Sequence, residues 1–263
     1  MQTSELNAQS LFNQLISSAH QVTDLTKDPF HEGIDYLKRT QFKDSDTVLY
    51  SKLIEKAIAM CRETKVIIDL GAGSSIPTLL ALKNSQRKDI QIKAIDIDPE
   101  AETVGKENAQ FFELSDQFEF IHTRMEDALE NLGPFGPETL LVSNPPYIAT
   151  PSYLNDDSFI PVNGGFYGDK FIQQILNHPF PKGTNLALLW GSLTSPKEII
   201  PLMKKKFEVL HTEVYRTYFG DYTRTDMMKA HLYDLREQGD VFFENNTEGD
   251  EVQYIIGNIL RTI

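Results

Sequence analysis

The sequence contains little that would anchor or cross-link the chain. It has one cysteine, Cys61, among 263 residues, and no apolar run reaches the length of a membrane span. A single cysteine excludes a disulfide within the chain, and this composition favours the reducing cytoplasm. The first residues also lack the basic-then-apolar pattern of a secretory signal. We therefore expect a cytoplasmic protein without membrane contacts, in which Cys61 is a core residue rather than a nucleophile.

Positive charge is also scarce. Lys and Arg total 25 against 38 Asp and Glu, which gives a formal net charge of −13 at pH 7. So acidic a chain repels the phosphates of nucleic acids, and its longest basic cluster, Lys204–Lys206, is typical of a solvated helix end. The six histidines are scattered, without the spacing of metal ligands. The composition therefore predicts neither a nucleic-acid partner nor a metal site.

The sequence does contain a regular alternation of short apolar runs and amphipathic stretches. The apolar runs predict strands near 65–70, 91–96, 117–122, 138–143, 184–190, 207–215 and 252–260. The amphipathic stretches predict helices near 44–61, 77–84, 99–111, 169–177 and 196–205. Such alternation is typical of an α/β fold, a mainly parallel sheet with helices on both faces. We place this domain at residues 44–263.

Two segments do not follow the alternation. Residues 1–43 contain an amphipathic helix at 4–19, and we interpret them as a small helical lid, with a plug on the sheet edge as the alternative. Residues 216–250 interrupt the last strand pair and carry a further helical pattern. We interpret this insertion as either a substrate lid or an oligomer contact.

The most informative stretch is Asn144-Pro145-Pro146-Tyr147, which follows the predicted strand at 138–143. Two prolines end the strand and stiffen the turn, so one carboxamide and one aromatic ring are held at the carboxyl edge of the sheet. Open α/β sheets bind ligands at that edge. A carboxamide offers an acceptor and two donors, which can hold a planar amide or amino nitrogen.

A second signal lies upstream, where Gly71-Ala72-Gly73 follows the strand at 65–70 and precedes a helix. Strand, glycine turn and helix let backbone approach a cofactor closely. The next strand ends in Asp96, whose carboxylate suits the two hydroxyls of a ribose. Asp98 is the better candidate for the cap of the following helix.

These residues resemble the class I S-adenosylmethionine-dependent methyltransferases. Asp69–Gly73 resembles their first motif, and Asn144–Tyr147 resembles the signature of the branch that methylates amino and amide nitrogens. The chain is similar above all to the release-factor glutamine methyltransferases, because Ile148 and the glycine-rich stretch 163–169 follow as in that family. The resemblance implies a Rossmann-like sheet of seven strands, the last antiparallel. It covers about residues 45–215.

The resemblance also implies roles for individual residues. S-adenosylmethionine would be held by the residues near the first two strand ends, which are Asp69, Gly71, Ala72, Gly73, Asp96 and Ile97, together with Asn144. An acid after the third strand would meet the adenine amino group, and we choose Asp127, with Glu126 second. Asn144, Pro145 and Tyr147 would be catalytic, with the carboxamide and the proline carbonyl holding the acceptor nitrogen and the ring stacking on it. The second product would be S-adenosylhomocysteine.

Three departures from the family bear on the methyl acceptor. Ser75 stands where the third glycine of the first motif is expected, Trp190 and Gly191 replace a charged group, and only 68 residues precede Asp69. The short lead-in removes the helical domain with which the release-factor enzymes hold their protein substrate. We therefore expect an amide, amino or guanidino nitrogen of a small molecule as the acceptor, with a protein glutamine as the alternative.

Two readings from other classes compete with methyl transfer. A nicotinamide-dependent oxidoreductase would require a third glycine where Ser75 stands and would leave Asn144–Tyr147 without a role. A non-catalytic module could retain the cofactor pocket alone, but the intact Asn144 and Tyr147 argue against it.

Overall fold

The computed structural model describes residues 7–27, 44–154 and 161–263. The first residues of the predicted helix at 4–19, and the greater part of the predicted lid at 28–43, lie outside the described residues. The helices are α1 (Ala8–Ser17), α2 (Asp44–Met60), α3 (Ile76–Ser85), α4 (Pro99–Phe111), α5 (Met125–Asn131), α6 (Lys170–Asn177), α7 (Pro196–Lys206) and α8 (Asp226–Glu237). The strands are β1 (Gln21–Asp24), β2 (Val66–Leu70), β3 (Gln91–Asp96), β4 (Phe118–His122), β5 (Thr139–Ser143), β6 (Asn185–Gly191), β7 (Phe207–Tyr218), β8 (Glu244–Asn245) and β9 (Glu251–Thr262).

The described strands form one sheet in the order β1-β7-β9-β6-β5-β2-β3-β4, with β8 paired to the start of β9. All pairings are parallel except those of β9, which runs antiparallel to β6, β7 and β8. The seven predicted strands and the antiparallel last strand are therefore confirmed. An antiparallel strand inside the sheet also departs from the all-parallel dinucleotide-binding order, which removes the main structural ground for the oxidoreductase reading.

The strand order of the sheet reverses at β2: β3 and β4 lie on one side of it, and β5 and β6 lie on the other. Leu70 pairs with Ile95 of β3 on one side and with Ser143 of β5 on the other. The next residues of the three strands therefore emerge side by side at the carboxyl edge, where such sheets bind ligands. This register brings the glycine turn, Asp96 and Asn144 together.

Helices cover both faces of the sheet and bury separate apolar clusters. One cluster lies between the sheet and α2, α3 and α4, and the other lies between the sheet and α1, α6 and α7. Trp190 is fully buried in the second cluster, where its ring lies 5.7 Å from that of Phe12 and its Nε1–H donates to Asn258 Oδ1 at 2.8 Å.

We expected the amino-terminal segment to be helical, but it also contains a strand, β1. Asn7 caps α1 by accepting a hydrogen bond from the Ser10 N–H, which sets the start of the helix at Ala8. The chain then adds β1 to the free edge of β7, with Gln21 opposite Glu213. The exposed edge of β7 explains the extra strand, because its backbone groups need partners. The lid role of residues 1–43 stays a prediction.

The insertion after β7 contains α8 and is shorter than predicted, since β7 itself continues to Tyr218. Phe219, Leu232, Leu235 and Phe243 form a third apolar cluster with Ala149 and Leu193. Because Ala149 follows the Asn144–Tyr147 turn closely, the insertion is packed beside that turn. No helix of the described residues combines the length and apolar character that crossing a bilayer requires.

Candidate active site

Three cavities meet at Asn144, which lines all of them. The first is about 330 Å³ and lies along the ends of β2, β3 and β4, from Gly71 and Asp96 to Glu126. The second is a narrow space of about 30 Å³ beside Gly71 and Tyr50. The third is about 720 Å³ and lies on the other side of the Asn144–Tyr147 turn. We call them the nucleoside, central and acceptor cavities.

The glycine turn forms the boundary between the nucleoside and central cavities. Gly71 has φ of 73° and Gly73 has φ of 47°, both in the left-handed region that favours glycine. A Cβ placed on Gly71 would meet nothing within 4 Å. The N–H groups of Gly71 and Ala72 both donate to the carbonyl of Ile95 at 2.9 Å. The turn is thus held by β3 while its glycine face stays open to a ligand.

Asp96 fixes the same turn from the end of β3. Its Oδ2 accepts from the Gly73 N–H at 2.8 Å, and its Oδ1 accepts from the Asp98 N–H at 2.9 Å. The helix cap is Asp98, whose side chain accepts from the Glu100 N–H at 2.9 Å, as predicted. Asp96 is therefore not the N-cap of α4, and it lines the nucleoside cavity.

Asp69 lies behind the cavity wall rather than in it. Only 1% of its surface is exposed, and its carboxylate accepts from the hydroxyls of Thr78 at 2.5 Å and Tyr50 at 3.3 Å. Burial raises the pKa of Asp69 to about 7, although the two hydroxyl donors oppose the shift. Tyr50 itself lines the central cavity. Asp69 therefore reaches that cavity only through its hydrogen bond with Tyr50, a residue that no sequence pattern had indicated.

Ser75 occupies the place of the third glycine and lies in the left-handed region that favours glycine. Its φ is 57°. Ser75 is the N-cap residue of α3, but its side chain makes no capping hydrogen bond. The side chain is fully buried, and its Oγ has no hydrogen-bond partner among the described residues. The departure from the family pattern therefore places a strained residue at the end of the turn.

The far end of the nucleoside cavity is formed by the start of α5. Met125 and Glu126 line it there, and the half-exposed Ile97 lines it beside Asp96. Asp127 is exposed on α5 and is not among the described lining residues. The structure thus favours Glu126, the second choice, as the acid facing an adenine. The Gln174 side chain donates to Glu126 at 3.3 Å.

The Asn144–Tyr147 turn presents a carboxamide and a ring between the cavities. Pro145 is buried, and Asn144 Oδ1 is buried without a hydrogen-bond donor among the described residues. The Tyr147 ring lies against Gly191, where an added Cβ would come within 2.6 Å of Cε2. Burial raises the pKa of the Tyr147 hydroxyl well above its usual range, and the nearby Asp46 carboxylate adds to the shift. The hydroxyl therefore stays neutral.

The glycine-rich stretch 163–169 holds this turn from behind. The Ile148 N–H donates to the Val162 carbonyl, and the Gly164 N–H donates back to the Ile148 carbonyl, both at 3.0 Å. Gly168 has φ of 75°, and a Cβ on it would lie 2.5 Å from the Tyr147 carbonyl oxygen. The stretch therefore needs glycine because backbone packs on backbone there.

Among the predicted residues, the structure brings together Gly71, Ala72, Gly73, Asp96, Ile97, Asn144, Pro145 and Tyr147, each of which lines one of the cavities. Asp69 lies behind them and Asp127 outside. Sequence reasoning missed Asp46 and Gln253, which line the acceptor cavity, and the place of Gly191 beneath Tyr147. The sequence signals for Gly191 were its position directly after a predicted buried strand and its place, with Trp190, where the family carries a charged group. In the part of the chain that the structure describes, no group of three or more His, Cys, Asp or Glu could hold a metal.

Comparison with known proteins agrees with this geometry. Residues 46–135, from α2 to just beyond α5, match the family described as ribosomal protein L11 methyltransferase (PrmA). A release factor glutamine methyltransferase from Dictyoglomus turgidum is 28% identical over 59% of this chain and 56% of its own length. A tRNA1(Val) (adenine(37)-N6)-methyltransferase from Aeromonas salmonicida is 34% identical over 38% of this chain and 40% of its own. The chain thus spans about half the length of these curated relatives.

One solved structure shows the same fold. Geranyl diphosphate C-methyltransferase from Streptomyces coelicolor, in complex with Mg²⁺, geranyl diphosphate and S-adenosylhomocysteine, has a TM-score of 0.50. The similarity covers 90% of this chain and 88% of that one at 10% identity. Motifs, strand order and relatives together support a class I S-adenosylmethionine-dependent methyltransferase.

Proposed function

We propose that this protein transfers a methyl group from S-adenosylmethionine to a planar amide or amino nitrogen of a small molecule bound in the acceptor cavity. The observation that carries the proposal is the position of Asn144. Asn144 lines all three cavities, and its Oδ1 is buried without a donor among the described residues. An unsatisfied buried acceptor costs free energy, and an N–H of a bound acceptor would remove that cost.

The residues around the first two cavities suit the cofactor. Gly71 offers open backbone, Asp96 offers a carboxylate for ribose hydroxyls, and Glu126 offers one for the adenine amino group. When bound, S-adenosylmethionine supplies a methyl group on a positively charged sulfur. Its methionine part would extend from the nucleoside cavity past Gly71 toward Asn144, two residues that line both the nucleoside and the central cavity.

The chain's own residues then act by position rather than by acid–base chemistry. The methyl–sulfur bond would break as the nitrogen–methyl bond forms, and the proton that the methylated nitrogen loses would pass to water at the mouth of the acceptor cavity. Asn144 and the Pro145 carbonyl would accept hydrogen bonds from the N–H groups of the acceptor. This orientation would turn the nitrogen lone pair toward the cofactor side of Asn144, where the methyl group would lie. The Tyr147 ring, fixed by Gly191, packs on the planar group and helps to exclude water. A neutral Tyr147 hydroxyl is consistent with a packing role.

The acceptor cavity favours a small molecule over a polymer. Its volume of about 720 Å³ lies within the range typical of small-molecule sites. The end of β7 and residues 219–224 form one of its walls, which supports a substrate-lid role for that part of the insertion. Two carboxylates, Asp46 and Asp221, line it against one guanidinium, Arg224, among the described residues. Together with the net charge of −13, these acids disfavour a phosphate polymer.

A protein glutamine is the second candidate, favoured by the Dictyoglomus turgidum relative and by the same Asn144 geometry. The glutamine amide is itself a planar nitrogen that the carboxamide could hold. A side chain presented by a protein would enter through the mouth of the acceptor cavity.

Incubation with methyl-labelled S-adenosylmethionine and a cell extract separates these candidates. The extract is divided afterwards into small-molecule, protein and nucleic-acid fractions. We expect Asn144-dependent label in the small-molecule fraction, on nitrogen. Label confined to protein would select the glutamine alternative, and label in RNA would refute the charge argument. Cofactor binding without any transfer would identify a non-catalytic module.

A further inference from the structure

The floor of the acceptor cavity carries a second unsatisfied carboxamide, that of Gln253. Gln253 lies on β9 opposite Thr217 of β7, and both residues line the cavity together with Ile255. Because residues 253 and 255 are two apart on a strand, they lie on the same face of the sheet. Gln253 therefore reaches the cavity from the first residues of β9, whereas Asn144 reaches it from the turn after β5.

Gln253 is buried, with only 8% of its surface exposed. Its Oε1 accepts no hydrogen bond within the part of the chain that the structure describes. Its Nε2 lies 3.5 Å from the carbonyl oxygen of Tyr218. A carbonyl can only accept, so the nitrogen end of the amide must face Tyr218 and the oxygen end is the one left over.

An amide in this state is poised for a ligand. The contact with Tyr218 is at the long limit of a hydrogen bond, so it contributes little to holding the amide. A donor arriving from the cavity would satisfy an oxygen that the fold itself leaves without one. Ile255 and Phe219 line the same cavity, and neither side chain offers a hydrogen bond to a water molecule there.

We propose that Gln253 determines substrate specificity by accepting a hydrogen bond from a second donor group on the methyl acceptor. The acceptor is then a compact molecule with an N–H donor at each end and a planar or apolar body between them. One end is the nitrogen that Asn144 holds, and the other is an amino or amide group that reaches Gln253. The inference rests on the proposed function, because the orientation of the molecule follows from Asn144.

The test uses two aromatic amides that differ only at the far end. 4-Aminobenzamide carries a donor there, and 4-methylbenzamide carries a methyl group of similar size. Their dissociation constants are measured by ligand-observed NMR titration in the presence of saturating S-adenosylhomocysteine. We expect the wild-type protein to prefer 4-aminobenzamide by about tenfold, which is the value of one buried hydrogen bond.

Three variants make the test specific. Gln253→Leu should bind both compounds equally, Gln253→Glu should keep the preference because it retains an acceptor, and the exposed Gln110→Leu should behave as the wild type. Unchanged affinity of Gln253→Leu for S-adenosylhomocysteine would show that its fold is intact, since Gln253 lines neither the nucleoside nor the central cavity.

Equal binding of both compounds by the wild type, a preference that survives in Gln253→Leu, or no binding of 4-aminobenzamide at millimolar concentration would overturn the inference. Its failure is distinct from that of the proposed function. Labelled product from the extract with unaltered yield in Gln253→Leu would refute the role of Gln253 alone. A Gln253-dependent preference without methyl transfer to any fraction would refute the proposed activity alone.

Discussion

The ring of Tyr147 lies directly on Gly191, so closely that a Cβ at position 191 would come within 2.6 Å of Tyr147 Cε2. The glycine at the end of β6 thus sets the position of the ring beside the acceptor cavity. This contact joins two residues that are 44 positions apart in the sequence.

Gly191→Ala should therefore displace the ring and impair turnover rather than cofactor binding. We expect the rate of methyl transfer to fall at least about tenfold, because alignment of the acceptor contributes much of such catalysis. The affinity for S-adenosylhomocysteine should stay within about twofold, the scatter normal for a distant substitution. Gly136→Ala is the matched control, since a Cβ there meets nothing within 4 Å. Equal rates for both variants would show that the ring position is unimportant.

Asp96→Ala should weaken the cofactor. Loss of a carboxylate that accepts from both ribose hydroxyls should cost about 1.5–3 kcal/mol, and calorimetry with S-adenosylhomocysteine measures it. The variant also frees the Gly73 N–H that Asp96 now binds at 2.8 Å, so the glycine turn should loosen as well. Asp116→Ala, at an exposed position of a short 3-10 helix, is the control. Native affinity in Asp96→Ala would refute the assignment of the nucleoside cavity.

Asp69 should make the stability of the protein depend on pH. Its pKa is about 7 in the folded protein against an ordinary value of 3.8, because burial disfavours the charged form. The folded state therefore keeps a proton that the unfolded chain loses, and stability falls as pH rises from about 4 to about 7. Asp69→Asn lacks this titration.

Urea denaturation at a series of pH values measures the effect. Between pH 5 and pH 8, Asp69→Asn should gain about 2–3 kcal/mol in the free energy of unfolding relative to the wild type. Parallel curves for the two proteins would mean that Asp69 ionises normally. The loss of one hydroxyl hydrogen bond in the variant shifts its curve uniformly and leaves the slope unaffected.

Ser75→Gly should stabilise the protein. Glycine relieves the cost of φ at 57°, and it removes a buried Oγ that has no partner among the described residues. After the larger entropy of glycine in the unfolded chain is deducted, we expect a gain of about 1 kcal/mol. Gln86→Gly, at an exposed residue with φ of 56°, isolates the backbone contribution and should gain less. A thermal unfolding series in which Ser75→Gly is the least stable would contradict this account.

The sheet could be predicted from sequence because each central strand is a short apolar run with its own ends. The same holds for Gly71, Asp96 and Asn144, since each follows such a run and parallel strands end at one edge. These local signals were sufficient for most of the site.

The remainder depends on partners that are remote in sequence. β1 forms because β7 leaves an edge free, and Gln21 pairs with Glu213 there. The choice between Asp127 and Glu126 depends on where α5 begins, because one residue turns a side chain by about 100° around a helix. Gly191 and Gln253 gain their roles only from Tyr147 and the acceptor cavity, which no local pattern reveals.

Turnover by Asn144→Ala tests the central claim most directly. The measurement compares label transfer to the acceptor and S-adenosylhomocysteine affinity in Asn144→Ala, in the wild type and in the exposed Asn13→Ala. If the carboxamide holds the acceptor nitrogen, transfer should fall at least about a hundredfold in Asn144→Ala, while cofactor affinity should change less than about tenfold. Near-native transfer by Asn144→Ala would contradict the account, because the turn would then be a structural feature without a part in methylation.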